Sequence, residues 1–170
     1  MKTLLVCYSM SGNVAEVCAD VASRCGADVL RIEPEKAYPD KGMKKFLWGG
    51  KSALMGEKPP LKPYEVDWDA YDCVVIAYPV WASTYPPPIA TFLERHSEQL
   101  KAKTLAALAC YAGSGAEKSL SKLRAALGVD DFFATAVVQD LYPKKPEIGQ
   151  QRAENIRRFA EALREKQDET

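Results

Sequence analysis

The sequence predicts an α/β fold: a three-layer α/β/α sandwich on a five-stranded parallel sheet with strand order 2-1-3-4-5. Three observations carry this. Five short runs, residues 3–8, 28–32, 72–78, 104–110 and 132–138, have strand composition, and the first, third and fourth are apolar without polar alternation, as strands covered on both faces are. Stretches with apolar residues at three- and four-residue spacing lie between them, which is the pattern of amphipathic helices. Strand–helix alternation with right-handed crossovers leaves few topologies, and in such sheets ligands sit beyond the carboxyl ends of the strands where the strand order reverses.

The first run leads into Tyr8-Ser9-Met10-Ser11-Gly12-Asn13-Val14, and then a helix begins whose inward stripe is Val14, Val17, Cys18, Val21, Ala22 and Cys25. Gly26 stops that helix, and residues 28–32 complete a βαβ unit. Residues 33–65 form an irregular connection between strands two and three, with one helical pattern inside it at Met43, Phe46, Leu47, Gly50 and Leu54. Lys36, Lys41, Lys44, Lys45, Lys51, Lys58 and Lys62 make this segment basic against Glu35, Asp40 and Glu57. A solvated face explains that bias, and a docking surface for an acidic partner or a phosphate is the sharper alternative.

Strand three ends in Pro79-Val80-Trp81-Ala82-Ser83-Thr84-Tyr85-Pro86-Pro87-Pro88. The prolines forbid more strand and can start the next helix, whose inward positions are Ile89, Phe92, Leu93 and Leu100. Strand four ends in Tyr111-Ala112-Gly113-Ser114-Gly115, and a helix follows from Ala116 with Leu120, Leu123 and Leu127 inward and Gly128 as its stop. After the fifth strand, residues 142–146 read as a loop. Ala153, Ile156, Ala160 and Leu163 stripe a final helix whose outer face, with the tail 166–170, is solvated.

With 170 residues and 47% hydrophobic content, the chain suits one domain over residues 1–170. Its 23 basic and 23 acidic side chains cancel, so no global field draws it to nucleic acid or anionic lipid. No apolar run approaches membrane-spanning length and no secretory signal opens the chain, so a cytoplasmic protein is expected. Cys7, Cys18, Cys25, Cys73 and Cys110 show no metal-like spacing and read as small core residues. His96 is the single histidine, which argues against His-based metal sites and a Ser/His/Asp triad. No metal site and no catalytic residue is expected, and Trp48 and Trp68 read as core packing.

The three loops after strands one, three and four carry the chemistry, and the strand order makes them neighbours. Ser9, Ser11 and Asn13, with the backbone N–H groups near Gly12 and Val14, aim neutral donors at one point over a helix N-terminus, which suits a phosphate. The plainer reading makes Ser11 or Asn13 a helix cap and Gly12 a turn residue. There is no GxGxxG and no Walker lysine. Trp81 and Tyr85 in the second loop and Tyr111 in the third offer flat side chains, and Gly113 and Gly115 let backbone approach a ring edge; the plainer reading makes Trp81 a cover for the sheet end, Tyr111 a strand-end anchor and the glycines turn residues. A phosphate nest at one end and aromatic planes at the other match FMN.

The chain resembles the flavodoxins and, more broadly, flavodoxin-like FMN proteins. Their phosphate loop, Thr/Ser-x-Thr/Ser-Gly-x-Thr, is matched by Ser9, Met10, Ser11, Gly12, Asn13 and Val14 except at the last position. There Val14 replaces a hydroxyl residue and leaves only its backbone N–H. Pro79, Val80, Trp81, Ala82, Ser83 and Thr84 resemble the family loop that contacts the isoalloxazine ring. Tyr111, Ala112, Gly113, Ser114 and Gly115 resemble the loop that closes its other side.

The resemblance implies FMN as cofactor and electron transfer as the activity. Ferredoxin-replacing flavodoxins are usually strongly acidic, whereas this chain is neutral with a basic connection. Two functions follow: an electron carrier between redox protein partners, or an FMN-dependent oxidoreductase taking hydride from NAD(P)H to a quinone or similar acceptor. A sensing module on the same scaffold is the third.

Overall fold

The computed structural model describes residues 1–38, 51, 55–140 and 146–168. All five strands are parallel: β1 (Thr3–Cys7), β2 (Asp28–Arg31), β3 (Cys73–Pro79), β4 (Thr104–Tyr111) and β5 (Thr135–Gln139). Their order is β2-β1-β3-β4-β5, as expected. Helix α1 (Asn13–Cys25) joins the first two strands; α2 (Pro87–Arg95) and α3 (Ser97–Lys101) join β3 to β4. Helix α4 (Ala116–Leu127) leads to β5, and α5 (Pro146–Asp168) follows it.

The unalternating strands are covered on both faces because successive side chains enter different cores. Leu5, Cys7, Val75, Ala77, Ala106 and Leu108 face one side and pack with α1 and α5. Leu4, Val6, Val74, Ile76, Leu105 and Ala107 face the other and pack with α2, α3 and α4. Strand β2 is an edge, and Val29 is 45% exposed. All five cysteines are buried free thiols, as anticipated.

Four expectations need correction. The helix after β3 is two, because His96 leaves helical dihedrals (φ −118°, ψ 23°). Its ring packs on Phe92 and Trp68 at 4.8 and 4.9 Å, and Nε2 is 2.8 Å from the Tyr64 hydroxyl, so tertiary contacts outweigh helix continuity. Trp68 thereby takes the packing role assigned to it, while Trp48 lies outside the described residues. Regular pairing of β5 begins at Thr135 rather than residue 132; Phe132 is buried in the preceding loop.

Pro146, assigned to a loop, opens α5, where its fixed φ suits a first helical turn and its missing N–H costs nothing. The inward stripe of α5 is Arg152, Ile156, Phe159, Ala160 and Leu163, and Ala153 is exposed. The helical pattern at 43–54 and the loop at 142–145 lie outside the described residues.

Candidate functional site

The carboxyl ends of β1, β3 and β4, neighbours inside the sheet, bring the three sequence-selected loops together. Gly12 starts α1 in the left-handed region (φ 95°, ψ −21°), and no side chain caps the helix, which disposes of the plainer reading of Ser11 and Asn13 as caps. The first intrahelical bond runs from the Glu16 N–H to the Gly12 carbonyl at 2.9 Å. The N–H groups of Asn13, Val14 and Ala15 therefore have no intrahelical acceptor, and the helix dipole adds positive potential there.

Ser9 is 4% exposed, and its Oγ has no hydrogen-bond partner among the described residues. A buried hydroxyl without a partner is costly, so the position asks for an external acceptor or donor. Ser11 is exposed and Met10 half-buried. Val14 is 2% exposed and packs in the α1/α5 core, so only its N–H can face the loop.

Asn13 behaves otherwise than expected. Its amide nitrogen donates to the Asp140 carboxylate, and its Oδ1 accepts from Arg152 Nη2 at 2.8 Å, so its side chain is committed inside the protein. Its backbone N–H remains for a ligand. Charged groups stand behind the loop in balanced sets, Arg152 with Asp140 around Asn13 and Arg31 with Glu33. Arg152 backs Asn13, and the Arg31 guanidinium donates to the Ser9 carbonyl at 3.1 Å.

The second loop is a tight hairpin. Trp81 and Thr84 exchange two backbone bonds of 3.0 Å, and Ala82 and Ser83 both have positive φ (49° and 56°). These are the two non-glycine positive φ values among the described residues, at a turn type that glycine and asparagine normally occupy. Val80 N–H donates to the Cys110 carbonyl at 2.7 Å, tying this loop to the end of β4. The Trp81 indole makes edge contacts with Tyr8 and Tyr38, at centroid distances of 5.7 and 5.4 Å. Burial raises the pKa of both phenols, that of Tyr38 to about 12.

Tyr111 is half-buried, and Ala112, Gly113 and Ser114 are exposed. Gly115 (φ 91°) abuts the hairpin so closely that a Cβ would lie 2.4 Å from Ser83 Oγ and 3.0 Å from Ser83 Cα. The second and third loops therefore touch, as the strand order requires.

A cavity of about 260 Å³ adjoins the first loop, lined by Tyr8, Ser9, Arg31, Tyr38 and Lys62 among others. Lys62 pairs with Glu33 at 2.6 Å and Lys58 with Glu94 at 2.7 Å, so these two lysines of the basic segment sit on an ion-paired, solvated face. Lys41, Lys44 and Lys45 lie outside the described residues.

Sequence reasoning missed Arg31, Tyr38, Asp140 and Arg152. One signal existed for Arg152: it stands four residues before Ile156, on the apolar stripe of α5, where an arginine is out of place unless it is partnered.

Comparison with known proteins agrees with this fold. A family model described as Flavodoxin matches residues 2–132. No curated protein matches the chain significantly. Among solved structures, a flavoprotein in complex with FMN from Lactobacillus acidophilus superposes with a TM-score of 0.69 at 20% identity, covering 80% of this chain and 92% of that one. A Bacteroides eggerthii protein described as a flavoprotein gives 0.68 at 24% identity, with coverages of 89% and 94%. An NAD(P)H:quinone oxidoreductase from Methanothermobacter marburgensis gives 0.52 at 14% identity, with coverages of 95% and 94%. At these identities the structural likeness speaks to the fold.

Proposed function

The chain belongs to the flavodoxin family, and from that premise we propose that it binds FMN non-covalently and carries electrons between redox protein partners. The observation that carries the proposal is the buried, unpartnered Ser9 hydroxyl, at the base of a loop whose helix start has no side-chain cap. Ser9 Oγ, the Ser11 hydroxyl and the N–H groups of Asn13 and Val14 would hold the phosphate, with Met10 and Gly12 shaping the turn. Residues 79–84 and 111–115 would flank the ring, the strained hairpin at Ala82 and Ser83 fixing the backbone groups that meet its edge. Bound FMN supplies one- and two-electron transfer; the chain binds it, orients it and excludes water from one side.

A specific observation favours a second reading as well. The cavity of about 260 Å³ walled by Tyr8 and Tyr38 offers room for a small acceptor, and Arg31 and Lys62 line it as ion pairs with Glu33. An FMN-dependent NAD(P)H oxidoreductase acting on a quinone or similar molecule would use such a space.

The absorption spectrum of the purified protein tests both. A flavin spectrum removable by acid supports FMN binding, and a colourless protein that takes up no added FMN defeats both readings. Bleaching only through a separate reductase selects the carrier. Rapid bleaching by NADH or NADPH alone, with turnover on a quinone, selects the enzyme.

A further inference from the structure

One hydrogen-bonded network joins the first loop to the far side of the sheet. Arg152, in the second turn of α5, is 8% exposed. Its Nη2 donates to Asn13 Oδ1 at 2.8 Å, and its Nη1 donates to the Gln139 carbonyl, the last of β5, at 3.1 Å. The Asn13 amide nitrogen donates to the Asp140 carboxylate, and the Asp140 backbone N–H donates to the Tyr111 carbonyl at 2.8 Å. A guanidinium this buried is expensive to desolvate, and electron transfer at the flavin loops makes no use of it. The network ends at the residue that opens α1, directly behind the phosphate loop.

We propose that Arg152 is the positioning residue of the phosphate loop. It holds Asn13, and with it the first N–H groups of α1, and it keeps a guanidinium charge directly behind that helix start. The proposal rests on the FMN reading. It places Arg152 behind Asn13 and out of contact with the ligand, so Arg152 acts on the phosphate end of the flavin alone. Among the described residues its links to the ring side run through backbone, the Asp140 N–H to the Tyr111 carbonyl and the pairing of Gln139 with Tyr111, and side-chain variants leave both in place.

Riboflavin has the ring without the phosphate and separates the two ends. The experiment titrates apoprotein with FMN and with riboflavin for wild type, Arg152→Gln and Arg152→Lys, with thermal melting alongside. Arg152→Gln is expected to raise the FMN Kd about tenfold, the worth of roughly 1.4 kcal/mol, while the riboflavin Kd stays within about twofold. Arg152→Lys keeps the charge and recovers part of the loss.

Equal weakening of FMN and riboflavin by Arg152→Gln would make Arg152 an ordinary structural brace and overturn the proposal, as would unchanged FMN affinity. Should Arg152→Gln fail to fold, Arg152→Lys decides: an ammonium cannot bond Asn13 and the Gln139 carbonyl as the fork of a guanidinium does, so the proposal requires FMN to weaken relative to riboflavin, and an unchanged ratio defeats it. Wild-type protein that takes up no FMN overturns the FMN reading and this proposal together. FMN uptake with an unaltered ratio in the variants removes only the role of Arg152.

Discussion

Replacing Ser9 with alanine separates a ligand-binding hydroxyl from a structural one, because the two predict opposite effects on the empty protein. Ser9 is 4% exposed and its Oγ has no partner among the described residues, so no described protein group satisfies this buried hydroxyl. Such a group costs about 1–3 kcal/mol, part of which Ser9→Ala recovers against a small loss of packing. The apoprotein should be unchanged or stabilised by up to about 1 kcal/mol, a rise of up to roughly 4 °C in Tm for a chain of this size.

Binding should move the other way. A hydrogen bond to a charged phosphate is worth about 1.5–3 kcal/mol, so FMN affinity should fall by roughly ten- to 150-fold. Flavin fluorescence quenching during titration of the apoprotein measures the affinity, and a thermal melt of the same sample measures stability. An FMN Kd within twofold of wild type, or an apoprotein Tm several degrees lower, would refute the reasoning.

The remaining predictions concern neighbouring groups. Ser11→Ala should weaken FMN about tenfold in the same titration, as loss of one charge-assisted bond does, and leave the apoprotein Tm unchanged, because Ser11 is exposed and caps nothing. Val14→Thr restores the family's hydroxyl but buries it in the α1/α5 core, so it should cost about 1–2 kcal/mol of stability without tightening FMN. A tenfold gain in affinity would show that the side chain reaches the ligand. Gly115→Ala combines a positive φ of 91° with a Cβ 2.4 Å from Ser83 Oγ and should lower Tm by several degrees, about 1–3 kcal/mol of strain. A Tm equal to wild type would mean that the two loops do not touch as described.

The His96 prediction is one of pH. Burial, and then the neighbouring Arg95 charge, hold its pKa below the ordinary 6.5, so the folded chain prefers it neutral. Its contribution to stability is present above pH 6.5 and is lost as pH falls through the lower folded value. Between pH 7 and pH 5 the wild-type Tm should therefore drop further than that of His96→Phe, measured by parallel thermal melts.

The sheet, its order and the convergence of three loops were legible in the chain because each rests on local pattern. Apolar runs of strand length, helical stripes between them and turn residues at strand ends need no knowledge of distant partners. The buried cysteines followed from the same patterns. The sequence could not show what Asn13 does. Its hydrogen-bonding groups are those of a phosphate ligand, yet its side chain is taken by Asp140 and Arg152, which lie 127 and 139 residues away along the chain.

Similarly, Arg31 and Tyr38 became neighbours of Ser9 and Trp81 only when β2 was laid beside β1. The break at His96 came from aromatic packing that helix propensity does not contain. The sequence by itself determined where a phosphate and a planar ring could be met. Tertiary structure decided which donors remain available to meet them, because a side chain's availability depends on every group folded against it.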